Sequence, residues 1–150
     1  MPKKRQTAVP GTIFGIPRLD GQIVLGQVLE EYYPKILAIA VFDLAVPPTD
    51  SVDPALLSDL KVISITAVAQ AEIAKGYWKV VGSAPLLADP AFSPHRKFSP
   101  PHYIGASWCS GGIIEKLVDA YYGLSTWEPY PGRPGHLKSL LLESGEAASN

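Results

Sequence analysis

Runs of apolar residues in the first third of the chain predict a β-meander. Thr12–Pro17 and Gln22–Leu29 are rich in β-branched and aliphatic residues. Asp20 and Gly21, which lie between them, suit a tight turn because glycine takes a positive φ at little cost. Ile36–Phe42 is apolar at every position, which is typical of a central strand covered on both faces. We therefore expect three antiparallel strands to form the nucleus of the fold.

Short helices and two more strands are predicted in the middle of the chain. Asp53 is placed to cap a short helix over Pro54–Leu60, with proline at its first position. Val62–Val68 is β-branched and predicts a strand, and Tyr77–Gly82 predicts another. Between these strands, Gln70–Lys75 is expected to form a helical turn that ends at Gly76.

The last third of the chain changes from strands to proline-rich and helical patterns. Five prolines predict an extended surface crossing over Ser83–Pro101, with at most edge strands such as Tyr103–Ile104. Gly112–Tyr122 has apolar residues at helical spacing and predicts a helix with one apolar face. Leu137–Leu142 is expected to form a brief terminal helix.

Together these elements predict an α+β fold in a single domain covering residues 1–150. We expect a twisted antiparallel meander sheet of about five or six strands, with one or two C-terminal helices packed on it. A chain of 150 residues can bury a core without metal or disulfide support. The ends, residues 1–10 and 144–150, are expected to be flexible.

Composition narrows the possible environments of the protein. Hydrophobic residues make up 47% and charged residues 18%, with a formal net charge of -1, so no global charge indicates a nucleic-acid partner. Cys109 is the single cysteine, so it has no internal disulfide partner. No apolar signal segment follows Met1–Arg5. Because of these two features, we expect the protein to work in a reducing cytoplasm. The run Ile36–Phe42 is far shorter than the roughly 20 residues that cross a bilayer, so we expect no membrane association.

Cys109 is the candidate nucleophile of the chain. It precedes a predicted helix whose N-terminus could lower the thiol pKa, and His95, His102 and His136 are possible bases. A lone cysteine is more often a small buried apolar residue. We therefore expect no catalytic residue and no enzyme activity. We also expect no metal and no cofactor, because the histidines lack the spacing of a metal site and the glycines do not form a phosphate loop.

Two sets of residues could form a binding surface. The aromatic residues could stack on bases or sugars, but they lack interleaved Lys and Arg, so we assign them to packing and expect no direct nucleic-acid binding. They are Trp78, Trp108, Trp127, Tyr32, Tyr33, Tyr77, Tyr121, Tyr122 and Tyr130. The acidic residues Asp43, Asp50, Asp53 and Asp59 lie in a span, 36–60, without Lys or Arg. They form either a solvated face or an acidic patch for a basic partner, and they are the candidate partner-binding residues.

Five blocks of the sequence occur in a recognisable order. They are Thr12–Pro17 with Asp20-Gly21, Gly26–Leu29, Val41–Asp43, Trp78–Leu86 and Trp127–Pro129. In this order and spacing they resemble the immunity protein 26 family of bacterial polymorphic toxin systems, and the first block and the block from Trp78 are specific when they occur together. The segment 88–122 matches this pattern less clearly, and its proline-rich crossing and Trp108-Cys109 are particular to this chain.

The resemblance implies a cytoplasmic α+β protein that binds and neutralises a toxin made by the same cell or its kin. It brings no catalytic residues. The partner would be a cognate toxin domain, and a nuclease is one candidate for it, because nucleases present basic clefts that carboxylates can cover. Two alternatives stay open. One is a small β-rich binding module for nucleic acid or a peptide, and the other is a thiol enzyme that uses Cys109.

Overall fold

A five-stranded antiparallel sheet forms the centre of the protein, and across the sheet the strands, counted along the chain, lie in the order fourth, third, second, first, fifth. The computed structural model describes residues 5–142. Five strands agree with the predicted number. The strands are β1 (Thr12–Pro17), β2 (Ile23–Tyr33), β3 (Ile36–Val46), β4 (Val62–Ala69) and β5 (Val80–Ser83), and the helices are α1 (Ala71–Ala74), α2 (Gly111–Tyr121) and α3 (His136–Ser139).

The predicted meander is confirmed, and its second and third strands are longer than expected. β2 and β3 each contain 11 residues and pair from Ile23 with Val46 to Tyr33 with Ile36. The turn between β1 and β2 has Gly21 at a φ of 89°, and its N–H donates to the Arg18 carbonyl over 3.1 Å. Glycine is suited to this position because it adopts a positive φ without strain.

The predicted strand over Tyr77–Gly82 is wrong at its beginning, because β5 starts only at Val80. The pairing of β5 with β1 is shifted between Ile13 and Phe14. Trp78, just before β5, is fully buried, and its ring stacks on Phe14 with the centroids 5.5 Å apart. The chain leaves the regular ladder here, and the large indole occupies the core.

Buried apolar side chains cover both faces of the sheet. One cluster includes Phe14 and Val41 together with Ile114 and Val118 of α2. A second cluster includes their strand neighbours Ile13 and Phe42. Because successive side chains on a strand point to opposite faces, the two clusters lie on opposite sides of the sheet. On the second side, residues from the segments that follow β3 and β5 complete the cluster, among them Val52, Leu57, Ala88 and Phe92.

The short helices are briefer than the sequence predicts. Pro54–Leu57 is a 3-10 turn, capped by the Asp53 side chain, which accepts the Ala55 N–H over 2.9 Å. α3 ends at Ser139, and the chain then follows the edge of β4, where the Leu142 N–H donates to the Ile63 carbonyl over 2.8 Å. Sheet-edge hydrogen bonding replaces the last helical turn, which satisfies backbone groups that an edge strand would otherwise expose.

The proline-rich crossing is folded into turns instead of strands. It contains 3-10 turns at Pro90–Phe92 and Pro94–Lys97. The predicted edge strand at Tyr103–Ile104 is wrong: these residues lie in a turn, and Tyr103 has a φ of 50°. The crossing returns to the sheet at Cys109, which forms an isolated parallel bridge with Val68 of β4.

Gln27, in the middle of β2, holds the start of this crossing against the sheet. It is fully buried, and its Nε2 donates to the carbonyls of Gly11, Ala84 and Pro85 over 3.0 to 3.3 Å. Its Oε1 accepts the Leu87 N–H over 2.8 Å. One side chain therefore contacts four backbone groups of the loops, and its two N–H hydrogens are shared among three carbonyls, of which that of Gly11 also accepts the Ala84 N–H.

The ends of the chain are described only in part. Residues 1–4 and 144–150, which we expected to be flexible, lie outside the described residues. Gln6 is hydrogen-bonded to the fold: its Nε2 donates to the carbonyls of Ile73 and Trp78, and its Oε1 accepts the Val80 N–H. Within residues 5–142, none of the helices has the length and apolar character needed to traverse a bilayer.

Candidate functional site

The candidate acidic residues lie on different parts of the surface, each with its own environment. Asp43 is exposed on β3, and its carboxylate accepts hydrogen bonds from the hydroxyls of Tyr122 (2.7 Å) and Tyr121 (3.1 Å) at the end of α2. Burial, and then the hydrogen bond to this carboxylate, raise the pKa of Tyr122. Asp43 is thus part of a contact between β3 and α2.

Asp50, Asp53 and Asp59 follow β3 in the loops of the second face. Asp50 is exposed and forms an ion pair with Lys79, next to β5. Asp53 caps the 3-10 turn, and exposed Asp59 has a positive φ of 55°. The span 36–60 has no cation along the sequence, but folding brings Lys79 to it from elsewhere in the chain.

A groove lies in the loop that carries two of these carboxylates, and we call it the acidic-loop groove. Its volume is about 370 Å³. Leu56 on its rim is 44% exposed, whereas Val52 at its base is buried and its N–H donates to the Val81 carbonyl of β5 over 2.9 Å. The groove is lined by Val46, Pro47, Pro48, Thr49, Ser51, Val52, Asp53 and Leu56.

His95 is enclosed by aromatic rings and a carboxylate, in an arrangement that sequence reasoning missed. Its imidazole is 1% exposed and stacks on the Tyr32 ring, with 3.9 Å between centroids. Tyr103 contacts it edge-on at 4.9 Å. Its Nε2 lies 2.5 Å from Glu30 Oε2, without the alignment of a hydrogen bond, and Arg96 binds the same carboxylate through two hydrogen bonds of 2.8 and 2.9 Å. We call these five residues the His95 cluster.

The electrostatics of the His95 cluster follow from its burial. Burial lowers the pKa of His95, and the neighbouring Glu30 carboxylate offsets this only in part. Burial acts to raise the pKa of Glu30, but Arg96 and His95 outweigh it and the net pKa is lowered. Burial also raises the pKa of Tyr32. Glu30 directly follows the buried apolar residues Val28 and Leu29 of β2, and this is the signal in the sequence that could have indicated a partly buried charged contact.

A second groove, which we call the aromatic groove, lies between the tip of the β2–β3 hairpin and the loop 102–108. Its volume is about 400 Å³. An adjoining depression of about 450 Å³ shares His102 and Ile104 with it and adds Lys97 and Phe98. The aromatic groove is lined by Tyr32, Tyr33, Ile36, His102, Tyr103, Ile104, Gly105, Ala106 and Trp108.

The candidate nucleophile Cys109 is buried against the first apolar cluster. Burial raises the pKa of its thiol, although Thr66 and Arg133 counteract this in part. A raised pKa disfavours the thiolate, which is the reactive form. Two of the histidines considered as bases contact other aromatic rings. His95 stacks on Tyr32, and His136 lies in α3 with its ring centroid 6.4 Å from that of Tyr130.

The side chains that could ligate a metal ion are dispersed over the part of the chain that the structure describes. Among residues 5–142 there is no group of three or more His, Cys, Asp or Glu side chains placed to hold a metal ion. His95 lies beside Glu30, and a single carboxylate with one imidazole does not complete the coordination that a protein metal site requires.

Comparisons with family models, with curated proteins and with solved structures find no match to this chain. The resemblance to the immunity protein 26 family is therefore carried by the sequence blocks from Thr12 to Pro129 alone.

Proposed function

We propose that this protein is an immunity protein, which binds and neutralises a cognate bacterial toxin in the cytoplasm of the producing cell. The observation that carries the proposal is the acidic-loop groove, which is lined by exposed Leu56 and by Asp53 on an anchored loop that also carries Asp50. The resemblance of the sequence blocks points to the same function. In this proposal the sheet, with α2 covering one face, is the scaffold that presents the loop.

The acidic-loop groove is suited to binding a partner without large rearrangement. Pro47 and Pro48 restrict the backbone, and Val52 ties the loop to β5 through its hydrogen bond to Val81. A loop that is already ordered loses less conformational entropy when it binds. Leu56 supplies exposed apolar surface of the kind that a partner side chain can cover.

The carboxylates would select a basic partner. Asp50 is paired with Lys79 in the free protein, and such exposed pairs contribute little to stability, so a cation of the partner can replace Lys79 at low cost. Asp53 is the carboxylate that lines the groove itself, although it caps the 3-10 turn. A toxin that cleaves nucleic acid would offer Lys and Arg for these contacts, because phosphate binding depends on them.

The proposal is tested first by the gene beside this one, which should encode a large secreted protein with a variable C-terminal toxin domain. Association of that domain with wild type and Asp50→Lys is then measured at low and moderate salt. Reversal of the charge should lower the on-rate by about tenfold or more at low salt and by less at moderate salt. Lys79→Gln, which frees Asp50, should raise the on-rate.

Glu31→Lys is the matched control, because it makes the same charge change at the opposite end of β2 and β3 from the groove. It should leave the on-rate close to that of wild type. Equal effects of Asp50→Lys and Glu31→Lys would mean that only net charge matters, and an unchanged on-rate for Asp50→Lys at both salt concentrations would remove the acidic-loop groove from the interface. Failure of the toxin domain to bind wild type would overturn the function itself.

A second function, a peptide-binding module, is favoured by a different observation. The aromatic groove exposes Tyr33, Ile104 and Trp108, which the acidic-loop groove does not involve. This surface has a different chemistry and can be tested separately.

A further inference from the structure

We infer that the aromatic groove is a docking surface for an extended acidic segment of a partner protein, held by one apolar side chain of that segment. The groove lies on the far side of β2 and β3 from the acidic loop, since it forms at the hairpin tip, where Tyr33 pairs with Ile36. It therefore adds a second interaction surface to the acidic-loop groove, and it does not depend on the toxin proposal.

Exposed apolar side chains mark the aromatic groove. Ile104 is 84% exposed, Trp108 is 54% exposed and Tyr33 is 49% exposed, and all three line the groove. Single exposed apolar residues are ordinary, but several that share one concave surface are typical of an interaction site. Aromatic rings with a polar atom are favoured at such sites because they combine apolar area with a hydrogen-bonding group.

The loop that carries these side chains is anchored at several points. The Tyr103 ring packs against both Tyr32 and His95, although the backbone of Tyr103 has an unfavourable positive φ. At the end of the loop, the Cys109 N–H donates to the Ala67 carbonyl over 2.8 Å. Ile104 and Trp108 lie between these anchors, so their positions are largely set before binding and the ordering cost is reduced.

The charges around the groove favour an acidic occupant. Neither the aromatic groove nor the adjoining depression has an Asp or Glu in its lining, whereas Lys97 and His102 line the depression. The segment 90–114 contains no Asp or Glu at all. Glu31, on the neighbouring hairpin, has its carboxylate engaged by the Lys35 backbone N–H over 3.0 Å. Carboxylates of a partner segment would meet the Lys97 ammonium here, and the imidazole of His102 offers a further polar contact, without a competing acidic side chain in the lining.

A peptide fits the groove better than a nucleic acid does. The lining includes the aliphatic side chains of Ile36, Ile104 and Ala106, which match a leucine or phenylalanine better than a base or a phosphate. A single-strand platform combines stacked aromatic rings with a track of cations along the backbone. Here Arg96 is occupied by Glu30, and Lys97 is the one lysine in the lining of the two depressions.

The volume of the groove limits how much of the partner it can hold. About 400 Å³ accommodates one or two large side chains, near the lower end of the range for ligand pockets. The apolar side chain of the segment would enter between Trp108 and Tyr33. Its flanking carboxylates would lie toward Lys97 and His102, where the adjoining depression continues the surface.

The test uses three fluorescein-labelled peptides that share a central Leu-Trp pair and differ only in flanking residues, which are Asp, Ser or Lys. Binding to the full chain is measured by fluorescence polarisation, with labelled oligothymidylate as a fourth probe. We expect the Asp peptide to bind most tightly and the Lys peptide least tightly, with the Ser peptide between them. The Kd values of the Asp and Lys peptides should differ by at least about tenfold at low salt. Equal binding of the three peptides, or tighter binding of the oligothymidylate, would overturn the assignment.

The indole N–H resonances of two tryptophans in isotope-labelled protein show where the peptide binds. The indole N–H resonance of Trp108 should shift when the Asp peptide is added, and that of fully buried Trp78 should not. Ile104→Asp should weaken binding of the Asp peptide by about tenfold or more. Leu19→Asp is the matched control, because Leu19 is 67% exposed in the β1–β2 turn, and it should bind as wild type does.

Charge reversal then separates this surface from the acidic-loop groove. Lys97→Glu should weaken binding of the Asp peptide and strengthen binding of the Lys peptide. Asp50→Lys should leave the binding of both peptides unchanged. If Asp50→Lys alters peptide binding as much as Lys97→Glu does, the peptide is not held by the aromatic groove and the inference fails. Because no toxin is present in these measurements, their outcome is independent of the toxin proposal.

Discussion

The imidazole of His95 lies parallel to the phenol ring of Tyr32, with 3.9 Å between the ring centroids and 4° between the planes. Glu30 comes from the same strand as Tyr32, and Tyr103 comes from the loop of the aromatic groove. The buried ring thereby joins β2, the 3-10 turn Pro94–Lys97 and the loop 102–108. Proton binding at this position should affect the stability of all three.

We predict that His95 makes the protein less stable in mild acid. Burial lowers the pKa of His95 below its usual 6.5, so the folded state binds fewer protons than the unfolded state. The contribution of neutral His95 to the free energy of unfolding is therefore complete above about pH 6.5, and it is lost as the pH falls from there through the folded-state pKa. A single group of this kind contributes up to about 1.4 kcal/mol per pH unit. Urea unfolding from about pH 7.5 to pH 5 measures this slope.

His95→Phe should keep the stacking on Tyr32 and give a shallower slope over the same range. A residual slope is expected, because burial also lowers the pKa of His136. Identical slopes for His95→Phe and wild type would show that His95 does not titrate in this range.

Trp78 should be a large contributor to stability. Its ring is fully buried and stacks on Phe14. Its Nε1 donates a hydrogen bond to the Glu115 carboxylate of α2 over 2.9 Å. Trp78→Ala should lower the free energy of unfolding by about 3 to 5 kcal/mol, measured by chemical denaturation. Trp108→Ala, at an exposed tryptophan, should change it by less than about 0.5 kcal/mol. A Trp78→Ala protein that unfolds like wild type but loses its partner would make Trp78 a binding residue.

Gln27 should be hard to replace even by residues of similar shape. Gln27→Leu leaves the Leu87 N–H and the carbonyls it contacts without partners, and we expect a loss of about 2 kcal/mol or more in unfolding free energy. Gln27→Glu can still accept the Leu87 N–H, but it sets a carboxylate against carbonyl oxygens. The loss of unfolding free energy in this variant should therefore be larger at neutral pH than in acid. Gln22→Leu, at a half-buried position, should have little effect, and an equal loss there would contradict the role of Gln27.

The strands were predictable because their signal is local. The apolar run at Ile36–Phe42 and the Asp20-Gly21 turn fix the meander, since alternation, burial and turn chemistry all act within a few residues. The start of β5 was not predictable, because Trp78 enters the core through contacts with Phe14 and Glu115, which are distant in sequence. Tyr103 was misassigned for the same reason: its aromatic contacts outweigh its preference for an extended backbone.

The candidate site was predictable only as far as it is made of consecutive residues. The capping role of Asp53 follows from its place before Pro54, and the structure confirms it. The pairing of Asp50 with Lys79, and of Asp43 with the two tyrosines, depends on which loops and helix ends the fold brings together. The aromatic groove forms between the β2–β3 hairpin and the loop 102–108. That loop lies in the segment that matches the family pattern less clearly, so the resemblance could not have indicated the groove.

The last prediction separates a binding protein from a thiol enzyme. Cys109 is buried beside Val68, its backbone bonds to β4, and burial raises its pKa. Cys109→Ala should therefore protect cells against the toxin domain as well as wild type does, in a growth-rescue assay. Cys109→Ser should protect equally, with a loss of about 1 to 3 kcal/mol in unfolding free energy because a hydroxyl replaces an apolar thiol.

Alkylation of Cys109 gives an independent measurement, because iodoacetamide reacts with the thiolate. At neutral pH the folded protein should react at least about tenfold more slowly than the urea-unfolded protein, since burial both shields the sulfur and disfavours its ionised form. Rapid alkylation of the folded protein, together with loss of rescue in a folded Cys109→Ala variant, would mean that the thiol is activated and that the chain is an enzyme. Slow alkylation with full rescue leaves Cys109 the role of fastening the end of the aromatic-groove loop to β4, which it performs through its backbone and which alanine retains.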